Sequence, residues 1–300
     1  MEKQHPRTDL AMEANEWLKE QNKSPHDGIV TSKINKDDGI TVDVIEVTND
    51  EASKQLNKVK GKYITIDAPH LRERDLEVFD KISHYMVDAM KGMITDEMRK
   101  KGVLIIGLGN RYVTADALGP KVVEKTMVTR HLLKAIPDQV DSRVRPVSAV
   151  APGVLGITGI ETEEMVAAIK NSAGPGAIIA VDALAARSVS RISNTIQISD
   201  TGIQPGAGVG NKQKGLTKES LGVPVIAVGT PTVVYATTIV NDALGGENAT
   251  GINNDQIQDM IVTPKEIDQV IEDMSKIISM GLNLLIHEGV SAEEVNTFLN

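Results

Sequence analysis

The chain has 300 residues, a formal net charge of −9, 2% aromatic residues and no cysteine. This length allows one large α/β domain or two smaller ones, and the absence of thiols excludes disulfides, thiol nucleophiles and cysteine metal sites, as suits a reducing compartment. The acidic balance argues against direct nucleic-acid binding, and the sequence holds no run of about eighteen apolar residues that would predict a membrane span. We therefore expect a cytoplasmic protein that contacts neither nucleic acid nor a membrane.

The first ninety residues predict two helices and two strands. Residues 10–22 carry apolar side chains at helical spacing, and residues 72–90 do so again. Between these helices, residues 40–47 alternate like a strand and residues 63–66 form a second, shorter strand.

From Gly102 onward, strand-like and helix-like segments alternate. The predicted strands are 102–107, 144–151, 178–181, 195–198 and 223–228, and the predicted helices are 118–133, 162–171, 231–244, 263–288 and a last one from Ser291. The glycine-rich stretch from Gly202 to Gly215 predicts a surface loop, whose role the sequence leaves open. The alternation predicts an α/β fold: a mostly parallel central sheet with helices on both faces, followed by C-terminal helices.

Two aspartates follow two of these strand-like runs. Asp116 comes after the run 102–110 and its short loop, and Asp182 directly follows the run 176–181. Since ligands bind at the carboxyl ends of parallel strands, both carboxylates are candidates for one crevice. Two carboxylates in one site share a proton, so that the ionised member can deprotonate a water while the protonated member bonds to a carbonyl.

Other roles for these residues stay open on the residues alone. An aspartate after a strand is also a common helix N-cap. A dinucleotide site would need a third glycine after Gly107 and Gly109, but Tyr112 occupies that position. A metal site would need a histidine, and none of the six histidines lies between residues 132 and 286.

Four segments of the chain resemble the germination protease of spore-forming bacteria. They are RTDLAMEA (7–14), GLGNRYVTADALGP (107–120), SAVAPGVLGITGIET (148–162) and VDALAARS (181–188). The resemblance implies an endopeptidase that degrades the small acid-soluble proteins coating spore DNA, located in the forespore and spore core and assembled as a homotetramer. It also implies a fold similar to the hydrogenase-maturation peptidases, which hold nickel with a glutamate where Asp116 stands, an aspartate and a histidine. Without that histidine, we expect hydrolysis by Asp116 and Asp182 with no metal and no cofactor.

The N-terminus resembles the sequence that this family cuts. Residues 8–13 read Thr-Asp-Leu-Ala-Met-Glu, close to the substrate type Thr-Glu-Ile-Ala-x-Glu. This similarity predicts a zymogen that cuts itself between Asp9 and Leu10, with residues 1–9 as a short propeptide. Residues 10–300 then form a single α/β peptidase domain with a helical extension from about residue 259. The competing interpretation is that Thr8 or Asp9 only caps the first helix.

Three further residues are candidates for orienting the substrate or the aspartates. Asn110 and Thr114 lie in the loop that presents Asp116, where turn formation is an equal alternative. Arg187, expected about two helical turns after Asp182, is a candidate partner for the acidic residue before the cut bond, or a surface ion pair. Two alternatives to the atypical aspartic peptidase remain: a nickel-dependent maturation-type peptidase, and a non-catalytic binding protein.

Overall fold

The structure is a computed structural model that describes residues 7–21, 24–204, 214–243, 257 and 260–299. Its strands are β1 (Ile29–Asn35), β2 (Thr41–Val47), β3 (Gly61–Asp67), β4 (Val103–Gly107), β5 (Val147–Val150), β6 (Ala177–Ala186), β7 (Thr195–Ser199), β8 (Val225–Tyr235) and β9 (Ile261–Val262).

Helices precede, separate and follow the strands. They are α1 (Ala11–Glu20), α2 (Asp50–Leu56), α3 (Leu76–Met90), α4 (Asp96–Lys101), α5 (Leu118–Glu124), α6 (Arg130–Ala135), α7 (Leu155–Thr158), α8 (Thr162–Ala173), α9 (Lys218–Leu221), α10 (Ala236–Ala243), α11 (Ile267–Ile286) and α12 (Ala292–Leu299). None of the helices described here is both long enough and apolar enough to span a membrane.

One sheet holds all these strands, in the order β1-β2-β3-β7-β8-β6-β4-β5, with β9 paired to β8. The α/β class is confirmed, but the sheet is mixed rather than mostly parallel. Parallel pairing is confined to β5-β4-β6-β8. The other five pairs are antiparallel. Strands β1 and β2 must be antiparallel because the connection 36–40 is too short for a crossover, and β7 runs opposite to both of its neighbours.

Helices cover both faces of the sheet. On one face, α3, α5 and α11 pack against alternate residues of the central strands, including Ile105, Ile179 and Val228. On the other face, α8 and α9 pack against the intervening residues, such as Ile106 and Ala180. Strands β4, β6 and β8 are therefore buried on both sides, which explains why their sequences read as continuous apolar runs.

Three predicted boundaries are wrong. Strand β6 does not end at Val181 but continues through Asp182 to Ala186. Strand β8 likewise continues to Tyr235, where the sequence predicts a helix over 231–244. The two extensions pair with each other, so sheet pairing outweighs the helix propensity of the alanines in the extension of β6. The predicted helix 118–133 is two helices, α5 and α6.

Strand β1 has no counterpart in the predictions. It is an edge strand with six of its seven residues exposed. A strand exposed on both faces needs no alternation of apolar and polar residues, so its sequence offers no pattern to predict it from. Of the predicted Gly202–Gly215 loop, residues 205–213 lie outside the described residues. Its two ends are joined by backbone hydrogen bonds between Ile203 and Leu216.

Candidate active site

Asp182 lies inside the sheet, on the central strand β6. Only 7% of its surface is exposed, and its Oδ1 accepts the N–H of Ala183 at 2.9 Å. Burial raises the pKa of the Asp182 carboxyl well above its usual range, and the nearby charges of Asp116 and Asp9 raise it further. The side chain is therefore a carboxyl group that resists ionisation.

Asp116 is presented by the loop that follows β4, at the end of the short 3-10 turn Thr114–Asp116. Its Oδ2 accepts the N–H of Asn110 at 2.8 Å, and its backbone oxygen accepts the same N–H at 3.0 Å. Burial raises the pKa of this carboxyl and the bond from Asn110 lowers it. Each of the two carboxyl groups accepts one backbone N–H, but Asp182 is more deeply buried and its pKa is also raised by neighbouring carboxylates, so Asp116 is the better placed of the two to be ionised.

Glycine at position 109 allows this loop to fold back on itself. A Cβ at Gly109 would lie 2.1 Å from the backbone oxygen of Asp116 and 2.9 Å from its Oδ1, and the φ of +103° is unfavourable for other residues. The glycine that raised the question of a dinucleotide site therefore serves the close approach of the backbone to Asp116.

Strand β8 is hydrogen-bonded to the loop that carries Asp116. The buried Thr232 donates its Oγ1 hydrogen bond to the backbone oxygen of Ala115 at 2.7 Å. Thr263 donates in turn to the backbone oxygen of Thr232 at 2.9 Å. The extension of β8 beyond its predicted end is thus what positions the residue next to Asp116.

The N-terminal segment lies against the end of β6, beside the two aspartates. The N–H of Asp9 donates to the backbone oxygen of Ala185 at 2.9 Å, and the N–H of Ala185 donates to Asp9 Oδ2 at 2.8 Å. Burial raises the pKa of Asp9, while the charge of Lys58 lowers it. Asp9 is the second carboxyl group, after Asp116, whose charge acts on Asp182.

Residues on either side of Asp9 are also held in place. Leu10 is fully buried among Leu184, Ala186, Ile192 and Val234. The Thr8 hydroxyl accepts the N–H of Leu10 at 3.0 Å and donates to the Glu13 carboxylate. The N-cap of α1 is Leu10, with no side-chain cap, so neither Thr8 nor Asp9 caps the helix as the competing interpretation expected.

The carboxylate of Glu13 is the second anchor of this segment. Glu13 is 1% exposed, and its oxygens accept the backbone N–H groups of Arg187 at 2.6 Å and Ser188 at 2.8 Å. Burial raises its pKa, and the bonds from Thr8, Arg187 and Ser188 lower it. The two residues that follow β6 therefore form a small site of two N–H donors that binds a carboxylate four residues after Asp9.

Lys58 and Gln197 complete the site, and the sequence analysis missed both. Lys58, in the loop between α2 and β3, donates from Nζ to the backbone oxygens of Thr8 at 3.0 Å and Asp9 at 2.9 Å. Gln197, on β7, donates from Nε2 to the same oxygen of Asp9 at 3.0 Å. No local motif marks either residue, because only the sheet order brings β3 and β7 beside β8 and β6.

The three candidate orienting residues have different surroundings. Asn110 supports Asp116 through its backbone N–H, while its side chain accepts the N–H of Tyr112 at 3.0 Å and shapes the turn. Thr114 begins the 3-10 turn and is exposed. Arg187 lies at the end of a strand rather than on a helix, and its guanidinium pairs with Glu20 at 2.8 Å. Its backbone N–H donates to Glu13 at 2.6 Å.

The described residues contain no group of three or more histidine, cysteine, aspartate or glutamate side chains arranged to hold a metal ion. What they do bring together is a set of carboxyl groups, Asp9, Asp116 and Asp182, that cannot all be ionised in a buried site. Such a group can take a proton from a water and deliver one to a leaving group.

Comparisons with known proteins identify the family. A family model described as germination protease matches residues 7–245 and 254–299. The chain is 42% identical over 322 aligned positions to the germination protease of Clostridium perfringens, covering 98% of this chain and 99% of that one. It is 37% identical over 356 positions to the germination protease of Bacillus cereus, covering 97% and 96%.

A solved structure also aligns, that of a NiFe hydrogenase maturation protease from Thermococcus kodakarensis. The TM-score is 0.34 and the identity 16%, with 66% of this chain and 98% of that chain covered. The family match and the full-length relatives agree with the four segments that carry the resemblance. The chain belongs to the germination protease family and is a protease.

Proposed function

We propose that this protease is made as a zymogen that cuts its own Asp9–Leu10 bond, and that Asp116 and Asp182 carry out the hydrolysis. The observation that carries the proposal is the position of Asp9. Its backbone pairs with β6, and its charge acts on Asp182, which is itself buried beside Asp116. The bond thus belongs to a residue whose charge reaches Asp182, and the charge of Asp116 reaches Asp182 as well.

The two aspartates take different roles in this proposal. The pKa of Asp182 is the more strongly raised of the two, so Asp182 holds the proton. Asp116 is stabilised as a carboxylate by the N–H of Asn110. Asp116 takes a proton from the attacking water, and Asp182 supplies a proton to the nitrogen of Leu10 as the bond breaks. The pair titrates as a unit, so the rate depends on the singly protonated pair.

The substrates in trans are proposed from the resemblance: the small acid-soluble proteins that coat spore DNA. The contacts of residues 8–13 support this, because the hydrophobic residue and the final glutamate of the Thr-Asp-Leu-Ala-Met-Glu sequence each have specific partners. Leu10 fills an apolar pocket, and Glu13 accepts two backbone N–H groups. A substrate with a hydrophobic residue and a glutamate at the same spacing would make these contacts in place of the chain's own N-terminus.

The test is the intact mass of the purified protein after incubation at mildly acid pH. The wild type is expected to lose its first nine residues. Asp182→Asn and Asp116→Asn are expected to lower the rate of this cleavage by at least about 10²-fold, since each removes one member of the acid–base pair. Asp141→Asn is the matched control, because Asp141 pairs with Arg143 at the surface and should leave the rate unchanged.

Each outcome has a clear meaning. Equal trimming of the wild type and of Asp182→Asn would show that another protease or other residues cut the bond, and the dyad would be refuted. If the wild type stays intact, self-cleavage at this bond is refuted under these conditions. A rate that does not change between neutral and mildly acid pH would contradict the requirement for a singly protonated pair.

Two further parts of the proposal rest on the resemblance alone. They are assembly as a homotetramer and location in the forespore and spore core. The native mass in solution tests the first: four chains of 32.2 kDa are expected, and a monomer would contradict it.

A further inference from the structure

The carbonyl oxygen of Asp9 has two side-chain donors, from two different parts of the fold. Lys58 Nζ lies 2.9 Å from this oxygen and Gln197 Nε2 lies 3.0 Å from it. Both distances are those of good hydrogen bonds. The carbonyl is therefore bound on one side by a positive charge and on the other by a neutral amide.

The position of Gln197 follows from the register of the sheet. Asp182 on β6 and Gln197 on β7 are both directly opposite Gly229 on β8, so the three residues form one row across the sheet. Residues in such a row point to the same face, and strands lie about 4.8 Å apart, so Asp182 and Gln197 flank Gly229 on one face about 10 Å from each other. A Cβ at Gly229 would lie 2.7 Å from the side chain of Leu184 and 2.8 Å from the Asp182 backbone.

The orientation of the Gln197 amide is fixed by a second bond. Its Oε1 accepts the N–H of Ala11 at 2.7 Å, which leaves Nε2 to donate to Asp9. Gln197 is 9% exposed, so little water competes for that donor. The site thus contains a preorganised N–H group aimed at one carbonyl oxygen.

We propose that Lys58 and Gln197 bind the carbonyl oxygen of the bond to be cut and stabilise the negative charge that develops on it during hydrolysis. This inference rests on the proposed function, because it requires Asp9–Leu10 to be the cut bond. Donors placed in advance around a developing oxyanion are among the largest contributions to enzyme catalysis. Lys58 and Gln197 are then catalytic residues, since they touch a reacting atom.

The reaction balances with these two donors in place. The oxygen of a water forms a bond to the carbonyl carbon of Asp9 and gives one proton to the Asp116 carboxylate, while the electron pair of the C=O bond moves onto the oxygen held by Lys58 and Gln197. The C=O bond then reforms, the C–N bond breaks, and Asp182 gives its proton to the nitrogen of Leu10. The products are a carboxyl group on Asp9 and an amino group on Leu10.

The surroundings of Lys58 act on the pKa of its ammonium group in two opposite directions. Burial lowers the pKa of its ammonium group, but the charges of Asp9 and Glu13 raise it. These two acids belong to the same segment as the cut bond. A substrate that carries acidic residues at both positions would bring its own counter-charges to Lys58.

The test compares the rate of self-cleavage in Lys58→Met and Gln197→Met with the wild type, by intact mass over time. Each variant keeps a side chain of similar length and removes one donor to the Asp9 carbonyl, so we expect each to cut about 10²–10³-fold more slowly. Gln197→Met also removes the acceptor of the Ala11 N–H, so the docking of the N-terminal segment is measured alongside. Lys60→Met is the matched control, since Lys60 is exposed and pairs with Asp50, and it should cut at the wild-type rate. Trp17, the single tryptophan, is buried on α1, and its emission reports whether the N-terminal segment is still docked.

The result expected is slow cleavage with an unchanged Trp17 emission maximum. Cleavage of both variants within threefold of the wild type, or faster, would overturn the inference while leaving the dyad intact, provided that Asp182→Asn still fails to cut. Slow cleavage together with a red-shifted emission would also overturn it, because an undocked segment would then explain the lost rate. If Lys58→Met does not fold, Gln197→Met alone carries the same test. A wild type that is never cut would refute the proposed function and this inference together.

Discussion

Asp182 is buried on a central strand, where Asp116 and Asp9 add their charges to the cost of desolvation, so its pKa rises well above the ordinary 3.8. An acid whose pKa is higher in the folded than in the unfolded protein binds more protons when folded. Its ionisation therefore costs stability as the pH rises above about 3.8. Catalytic groups that are kept in such surroundings commonly reduce the stability of the fold.

Asp182→Asn should therefore stabilise the protein at pH 7 while it abolishes self-cleavage. We expect a gain of about 0.5–2 kcal/mol in the free energy of unfolding, which is a few degrees in Tm for a chain of this size. Near pH 4 the gain should largely disappear, because the carboxyl then begins to be protonated in the unfolded wild type as well, and folding no longer requires it to take up a proton. Thermal unfolding of both proteins at pH 4 and pH 7 measures this difference.

The opposite sign is expected for a surface aspartate, which makes a sharp control. Hydrogen bonds from Arg143 lower the pKa of Asp141 to about 2, so this carboxylate is stabilised in its charged form. Asp141→Asn should not raise the Tm at pH 7. If it stabilises the protein as Asp182→Asn does, the effect comes from the lower net charge and not from the burial of Asp182.

The sequence was enough to select Asp116 and Asp182 as candidates, because each follows a run of apolar residues and lies in a long family segment. It was not enough to select Lys58 and Gln197. The proposed role of Gln197 depends on a row across β7, β8 and β6 that strand order and register determine, and that of Lys58 on how its loop meets the N-terminal segment, and no local pattern encodes either. A lysine in a polar loop and a glutamine on a short strand look ordinary until the strands are placed.

At the scale of elements, the loop after β4 depends on one glycine. Gly109→Ala would place a Cβ 2.1 Å from the backbone oxygen of Asp116, at a φ of +103°. We expect this variant to lose about 2–4 kcal/mol of stability and to cut itself at least about 10²-fold more slowly, because Asp116 must move. Thermal unfolding and intact mass together measure both effects.

A glycine without such neighbours provides the control. Gly156 lies in α7, and a Cβ there would meet nothing within 4 Å. Gly156→Ala should be neutral or slightly stabilising, by up to about 1 kcal/mol, and should leave self-cleavage unchanged. If Gly109→Ala behaves like Gly156→Ala, the close approach to Asp116 is not what positions this carboxyl.

Element boundaries were predictable where the pattern and the packing agree. Strand β4 and helix α8 lie within two residues of their predicted limits, because both carry a clear apolar pattern. The last helix begins as its sequence indicates, since Ser291 and Glu294 exchange backbone and side-chain hydrogen bonds at 2.8 and 3.2 Å. The extended ends of β6 and β8 were not predictable, because alanine and threonine there join a ladder that only the fold provides.

At the scale of the whole molecule, the first and last helices of the described chain pack against its centre. Helix α1 and the Asp9 segment pack on one side of the sheet, and α11 packs against α3 and α5 on the other. Segment 141–145 is joined to Glu288, just after α11, by an ion pair with Arg145, and to Glu294, on α12, by an ion pair with Arg143, both at 2.7 Å. The division into a propeptide and one peptidase domain stays a prediction. A single domain would require contacts of this kind between its first and last helices and one central sheet.

His287, which follows α11, makes the stability of this junction depend on pH. Its side chain is fully buried, and its Nδ1 accepts the N–H of Arg145 at 3.1 Å. Burial lowers the pKa of His287 from 6.5 to about 4. A base whose pKa is lower in the folded protein contributes stability that is complete above pH 6.5 and is lost as the pH falls toward 4. This contribution is at most about 3 kcal/mol.

Mild acid therefore acts on the two buried sites in opposite directions: it reduces the stability that the raised pKa of Asp182 costs at neutral pH, and it removes the stability that neutral His287 contributes. His287→Asn places an amide oxygen where Nδ1 accepts its bond but cannot titrate in this range. We expect the variant to show a flatter dependence of unfolding free energy on pH between 6.5 and 4 than the wild type, whatever its absolute stability. Denaturant unfolding at several pH values measures the slope, and His84→Asn, on the exposed face of α3, should keep the wild-type slope. An unchanged slope in His287→Asn would mean that another group takes up the proton. Protonation of His287 would then play no part in the stability of the protein in the acid range proposed for self-cleavage.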